Sequence, residues 1–222
     1  MLNLPDTTLV NKRIPKSKFY EKLRADKILR EKFVRQVDFI LWKHKISEHT
    51  VNLSPTKEVE ELQVFEIHLK QRNLSREVLE SIDRAIPYPI LFVLLYQSEV
   101  RLAMAYKKRS KQHEDRFVVD SYYFSPWQRV QEMSMDLLKG LDLKAVYENI
   151  LKKLMFVDGS IHQSLQQAVE RQRAAERLKR EIDALEAIMK KERQFNRKVE
   201  QNLRLQEKRK ELEKILKQEM CY

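Results

Sequence analysis

The sequence predicts an α+β protein: a small mixed or antiparallel sheet packed with helices, followed by a long C-terminal coiled-coil helix or helical hairpin. Three observations carry this. ILFVLLY (Ile90–Tyr96) is the one long uninterrupted apolar run, and a strand that apolar has to be covered on both faces. Around it, Val59–Lys70 alternates apolar and polar residues and Ser75–Ile86 repeats apolar ones at helical spacing, so strand, helix, strand and strand follow from Glu58 to Lys108. Residues 161–220 contain neither Gly nor Pro and are densely charged, the composition of a long helix.

Composition narrows the function classes. A formal charge of +11 over 222 residues favours anionic partners, nucleic acid first and acidic membrane surface second. The single cysteine, Cys221, cannot form an intrachain disulfide, which fits a reducing cytoplasm. MLNLPDTTLVNK has no apolar signal-peptide region, and no apolar run approaches the roughly 20 residues that span a bilayer. The protein is expected to be cytoplasmic with no membrane association. Only Gly140 and Gly159 are present. A P-loop, a GxGxxG dinucleotide fingerprint and a GxSxG elbow are therefore excluded, since each needs several glycines for close backbone approach. No cofactor and no metal are expected.

In chain order, residues 1–11 read as an extended segment, and Pro15 is placed to start a short helix. Asp26 is an N-cap for a helix expected to reach about Lys43, since Leu29, Phe33, Val37 and Leu41 recur every four residues. Between Lys12 and Lys45 twelve Lys/Arg stand against four acids, an excess of +8. Such a charge density reads either as a solvated helix face or as an anion-binding surface suited to phosphates. A short strand is expected at His49–Leu53, ended by Ser54-Pro55.

In the strand Val59–Lys70, Gln63, Phe65, Ile67 and Leu69 share one face and Glu66, His68 and Lys70 the other. A carboxylate, an imidazole and an amine on one face could serve acid–base or metal chemistry; a wet strand face gives the same pattern. Ser75 is placed to cap the next helix, with Val78, Ile82 and Ile86 as its buried stripe and Asp83 and Arg84 expected on the surface. A hairpin turn follows at Gln97–Glu99. KKRSKQHEDR (Lys107–Arg116), which includes His113, reads as a polar loop before the strand RFVVDSYYF. Ser125-Pro126-Trp127 has the form of an N-cap with Pro at N1, opening a helix or turn that closes at Gly140, and Asp142 can cap a helix with Val146, Ile150, Leu151 and Leu154 inward.

Asp158-Gly159-Ser160 reads as a break. The expected organisation is a basic N-terminal arm over 1–25, an α+β domain over 26–158 and a coiled-coil arm over 159–222. An unbroken arm would extend roughly 90 Å, and a helix that polar needs a partner or a fold-back. Leu178, Ile182, Leu185 and Met189, spaced four and three apart, form the seam. Glu192 and Asn196 interrupt it, so a stutter or turn is expected near 190–204. A basic row, Lys190, Arg193, Arg197, Arg204 and Lys208, runs along roughly one face of that helix.

VNKRIPKSKFYEKL (Val10–Leu23), EELQVFEIHLK (Glu60–Lys70), SIDRAIPYPILF (Ser81–Phe92), AYKK (Ala105–Lys108) and KKERQFNRKVEQN (Lys190–Asn202) occur in this order. Together they resemble a prokaryotic family of unknown function carried mostly in restriction and phage-defence gene islands, beside helicase and DNA methyltransferase genes. The resemblance spans nearly the whole chain. It implies a setting near DNA or its processing enzymes and transfers no catalytic residue.

The leading expectation is a non-catalytic accessory protein. It would bind DNA without sequence preference through Lys12, Arg13, Lys16, Lys18 and Lys22, with Arg193, Arg197 and Arg204 on the arm. The seam Leu178, Ile182, Leu185 and Met189 would join a second copy, or a helicase or methyltransferase partner. A divergent Mg²⁺-dependent nuclease of restriction-endonuclease type is the alternative, with Glu66, His68 and Lys70 as candidate catalytic residues. That motif expects Glu-x-Lys; here His68 stands in the lysine position and Lys70 falls two residues late. A purely structural scaffold is the third reading.

Overall fold

The computed structural model describes residues 2–22, 26–109, 117–155, 164–192 and 194–217; at 22, 108–109, 117, 195 and 216–217 the backbone alone is described. The expected break at Asp158-Gly159-Ser160, positions 110–116 of the expected loop (His113 among them), Arg193 and Cys221 lie outside these residues. Residues 107–109, expected in that loop, belong instead to a strand. Two compact units are formed, one from residues 1–154 and one from 155–222.

In the first unit, seven strands among the described residues form one sheet: β1 (Leu9–Ile14), β2 (Val37–Ile46), β3 (Leu62–Leu69), β4 (Ile90–Tyr96), β5 (Glu99–Arg109) and β6 (Phe117–Phe124) in that spatial order, with β7 (Gln128–Arg129) also on β5. Every pairing is antiparallel except β3 with β4. That exception follows from the connection: parallel neighbours need a crossover, and helix α4 (Arg76–Ala85) supplies it. The segment expected to be extended over 1–11 is so only in part: Asp6–Thr8 forms a 3-10 turn, Thr8 Oγ1 donating to Pro5 O at 2.6 Å, and the edge strand is Leu9–Ile14.

The expected helix from Asp26 to Lys43 is half right. Asp26 caps helix α2 (Lys27–Gln36), its Oδ1 accepting from Leu29 N–H at 2.8 Å. From Val37 onward the chain is strand β2, because VDFILWKHKI is rich in β-branched and aromatic residues and pairs on both sides. The four-residue recurrence therefore crosses from helix to strand and marks no continuous stripe. Gln36 fastens the junction, its Oε1 accepting from Ser75 N–H and its Nε2 donating to Ser75 Oγ, both at 2.7 Å. The Ser75 hydroxyl is thus engaged across elements and makes no cap bond within α4.

Two further expectations are corrected. His49–Leu53 is not a strand: Glu48–Val51 forms a helical turn, α3, with Thr50 Oγ1 accepting from Ser47 N–H at 2.8 Å and Asn52 closing it at φ 55°. Ser125 starts no helix, because its Oγ accepts from Leu102 N–H of β5 at 2.9 Å and the chain enters β7. Asp142 does cap α5 (Leu143–Met155), accepting from Ala145 N–H at 2.7 Å, and Val146, Ile150, Leu151 and Leu154 are buried as the spacing predicts.

One sheet face packs its Ile40, Phe65, Ile67, Ile90, Phe92 and Ala103 against Phe19 of α1 (Ser17–Lys22), Phe33 of α2 and Val78, Leu79 and Ile82 of α4. Val64, Leu91, Val93, Leu102 and Met104 alternate onto the other face and are also buried, taking no part in that cluster. Ile90–Leu94 are all buried, so the apolar run is covered on both sides.

The second unit is a helical hairpin. α6 (Leu165–Lys191) starts at Ser164, whose Oγ accepts from Gln167 N–H at 3.3 Å, and α7 (Phe195–Lys217) packs back along it. The chain reverses between the end of α6 at Lys191 and the start of α7 at Phe195, inside the window where the seam was expected to break. Lys208 pairs with Glu181 at 3.0 Å and Arg209 with Glu186 at 2.7 Å across the two helices.

Candidate functional site

The basic residues of the N-terminal segment divide by geometry. Lys12, Arg13 and Lys18 are exposed, on the edge strand β1 and on α1, and form no ion pair among the described residues. Arg13 lays its guanidinium 4.7 Å from the Phe39 ring centre. Lys16 is spent inside the fold: its Nζ donates to Val37 O at 2.9 Å, while Lys70 Nζ donates to Val34 O at 3.0 Å. Cations there complement the negative end of α2. Partial burial, then the Lys70 charge, hold the Lys16 ammonium below its ordinary pKa. Lys32, Lys43 and Lys45 pair with Glu77, Glu66 and Glu61, all outside the 12–45 segment, which takes its excess from +8 to +5. The side chain of Lys22 lies outside the described residues.

Glu66 and His68 are brought together, His68 Nε2 standing 3.7 Å from Glu66 Oε2 and Lys43 Nζ 3.7 Å from Oε1. Glu66 is buried, not on a wet face. His68 stacks on Phe39 at 3.9 Å, and burial lowers its pKa despite the neighbouring Glu66. Lys70 is directed to the α2 carbonyl and does not complete the trio. Among the described residues no three His, Cys, Asp or Glu side chains stand close enough to hold a metal ion.

A pocket of about 490 Å³ opens on the α1 side of the sheet. Trp42 and Phe65 form its floor, their ring planes 7° apart and centroids 6.3 Å apart. Phe19 and Lys18 of α1 line it on one side, Ala85, Ile86, Pro87 and Tyr88 on another. A hydrogen-bonded chain runs along it. Trp42 Nε1–H donates to Gln63 Oε1 (2.8 Å), Gln63 Nε2 to Glu61 Oε2 (3.0 Å), and Lys45 Nζ stands 2.6 Å from Glu61 Oε1. Strand alternation had put Gln63 on this face; Trp42 was hidden by the helix expectation for 26–43.

The sequence reading also missed a buried ionic centre. Asp83, expected on the surface, has a fully buried carboxylate 3.0 Å from the Lys107 ammonium, itself 5% exposed. Tyr122 O–H donates to Asp83 Oδ2, and Lys107 Nζ donates to Tyr88 O at 2.9 Å. Burial raises the Asp83 pKa, with Lys107 and Tyr122 pulling the other way. Tyr147 of α5 ties in alongside, its hydroxyl donating to Ala105 O and accepting from Lys107 N–H, both at 2.9 Å. The signal was available: Asp83 falls four residues after Leu79 and three before Ile86, on the helix's apolar stripe.

In the hairpin, Leu178 and Ile182 are buried with Leu205 opposite, while Leu185 and Met189 are half-buried. The basic row does not share one helix face, because the chain reverses within it: Lys190 is on α6, Arg197 and Arg204 on α7. Arg197 is exposed, whereas Arg204 pairs with Glu200 at 2.8 Å and Lys208 with Glu181 and Glu211.

These features define a mixed α+β domain with a basic sheet edge, joined to a charged helical hairpin. The chain belongs to the domain-of-unknown-function family DUF4391, whose profile matches residues 2–212. No curated protein and no solved structure matches it. No helix among the described residues is long and apolar enough to cross a membrane.

Proposed function

We propose that this protein is a non-catalytic accessory component of a DNA-processing or phage-defence system. It works in the cytoplasm, in a gene setting beside helicase or methyltransferase genes. The observation that carries the reading is the exposed group Lys12, Arg13 and Lys18, which has no carboxylate partner among the described residues. Exposed cations with no internal carboxylate are free to replace counterions on a phosphate backbone. The hairpin serves assembly with a second copy or a larger enzyme; Ile188, Val199 and Leu203 remain about half exposed on it.

The protein is expected to bind duplex DNA weakly, without sequence preference, and with a steep fall of affinity as salt rises. A Lys12→Ala/Arg13→Ala/Lys18→Ala variant should flatten the slope of log affinity against log salt by roughly 2–3. Fluorescence anisotropy across a salt series measures it. Absence of binding at low salt, or an unchanged slope in the variant, rejects the reading and favours a scaffold without nucleic acid.

The nuclease alternative draws on the Glu66–His68 contact alone, since Lys70 is held at the end of α2. The expected result is no Mg²⁺-dependent cleavage of DNA or RNA by the protein. Cleavage abolished in a Glu66→Gln/Lys70→Ala variant would replace the accessory role with a catalytic one.

A further inference from the structure

We infer that the pocket over Trp42 and Phe65 is a nucleotide site, taking one unstacked base on the indole and its phosphate on Lys18 and Lys45. The choice of ligand rests on the nucleic-acid reading above; the pocket itself is an independent observation. Its volume, about 490 Å³, lies in the range of small-molecule sites. The floor asks for a flat aromatic ligand. Trp42 stands parallel to Phe65, and its N–H is held by Gln63 Oε1 and His44 O, so the indole is oriented before anything binds. A preset ring loses little freedom on stacking, and stacking tolerates any base.

The polar groups complete the ligand's description. Lys18 is exposed at the rim, and Lys45 keeps further N–H donors beyond its contact with Glu61. One ammonium unpaired among the described residues, Lys18, and the remaining N–H donors of Lys45, whose charge Glu61 offsets, stand beside an aromatic floor and suit an anion attached to a ring. Each Glu61 oxygen holds one contact, from Lys45 and from Gln63, and retains a free acceptor position for an exocyclic amino group. Lys12 lies directly across from Trp42 in the β1–β2 pairing, so the basic edge leads to the pocket. A strand lying along that edge would bring a nucleotide to the indole.

The chain has two tryptophans, so Trp127→Phe leaves Trp42 as the sole indole reporter. Its emission is titrated with a short mixed-sequence single-stranded DNA, with adenosine monophosphate, with thymidine monophosphate and with duplex DNA. The single strand is expected to quench Trp42 saturably. Lys18→Glu should weaken that binding at least several-fold, and Trp42→Leu, read by anisotropy of a dye-labelled strand because no indole remains, by roughly 5- to 150-fold, the stacking share of one base. Circular dichroism checks both folds, and Lys18→Glu, at an exposed position, carries the test if Trp42→Leu is misfolded. Quenching by mononucleotides identifies a free-nucleotide site; quenching by the strand alone identifies a strand-bound base. Duplex binding with a steep salt slope and no response of Trp42 to any probe rejects the pocket and leaves the accessory reading intact. Mononucleotide quenching without duplex binding does the reverse.

Discussion

Asp83→Ala is expected to lower the unfolding free energy of the sheet domain by about 3–5 kcal/mol, the cost of stranding one partner of a buried ion pair. The Lys107 ammonium would lose the carboxylate at 3.0 Å and keep the Tyr88 carbonyl, while Tyr122 O–H would lose its acceptor. Lys107→Met should cost a similar amount at neutral pH, but with a pH dependence of definite sign. Burial already raises the Asp83 pKa and Lys107 opposes that rise, so removing Lys107 raises it further. A carboxyl whose folded pKa exceeds its unfolded value contributes stability below the unfolded pKa and loses it as pH rises through the folded one. The deficit of Lys107→Met relative to wild type should therefore shrink as pH falls. An Asp83→Leu/Lys107→Met/Tyr122→Phe variant, which removes every polar partner together, should recover most of the loss. Urea unfolding at several pH values reads all three; a loss under about 1 kcal/mol for Asp83→Ala contradicts the buried pairing.

Ile182→Asp/Leu205→Asp is expected to dissolve the helical hairpin and leave the sheet domain folded. Each buried apolar side chain contributes about 1.5–3 kcal/mol, and each new carboxylate would have to be buried or force the helices apart. Leu178 is buried on the same seam and adds to that scale. The hairpin's cross-helix ion pairs, Lys208–Glu181 and Arg209–Glu186, are solvent-exposed and align the helices more than they hold them. Helices this polar depend on their packed face. Circular dichroism should show the helical signal of 165–217 falling, with the denaturant midpoint of the sheet domain unchanged. Sedimentation of wild type and variant then tests the assembly role. A wild-type oligomer that the variant loses supports it; identical sedimentation and full helicity in both would remove the seam from any structural or assembly role.

How much of this was legible depended on whether the signal was local. β4 is found at the residues where the apolar run predicts it, and β3, α4 and α5 within a few residues, because alternation of two and recurrence of three to four report burial directly. β2 was not legible. Leu29, Phe33, Val37 and Leu41 keep helical spacing across a junction that only pairing with β1 and β3 defines. The hairpin turn near 192 was legible as a broken seam, whereas the basic row was not, since it presumed one continuous helix.

The sequence by itself determined the class of fold, the alternation of sheet and helix, the charged helical tail, the positive charge and the absence of glycine-built phosphate loops. Each is a property of composition or of neighbours within a few residues. Only the tertiary structure decided which lysines are free and which are spent, since Lys43 and Lys45 meet their acids across the β2–β3 pairing and Lys16 caps a helix end. It also decided that Asp83 is buried with Lys107, and that Lys18, Trp42, Glu61 and Tyr88 line one pocket. Those residues are brought together by the β3–α4–β4 crossover and by the edge pairing of β1. Charge and aromaticity can be read along a chain, but their partners are chosen by contacts between segments far apart in it.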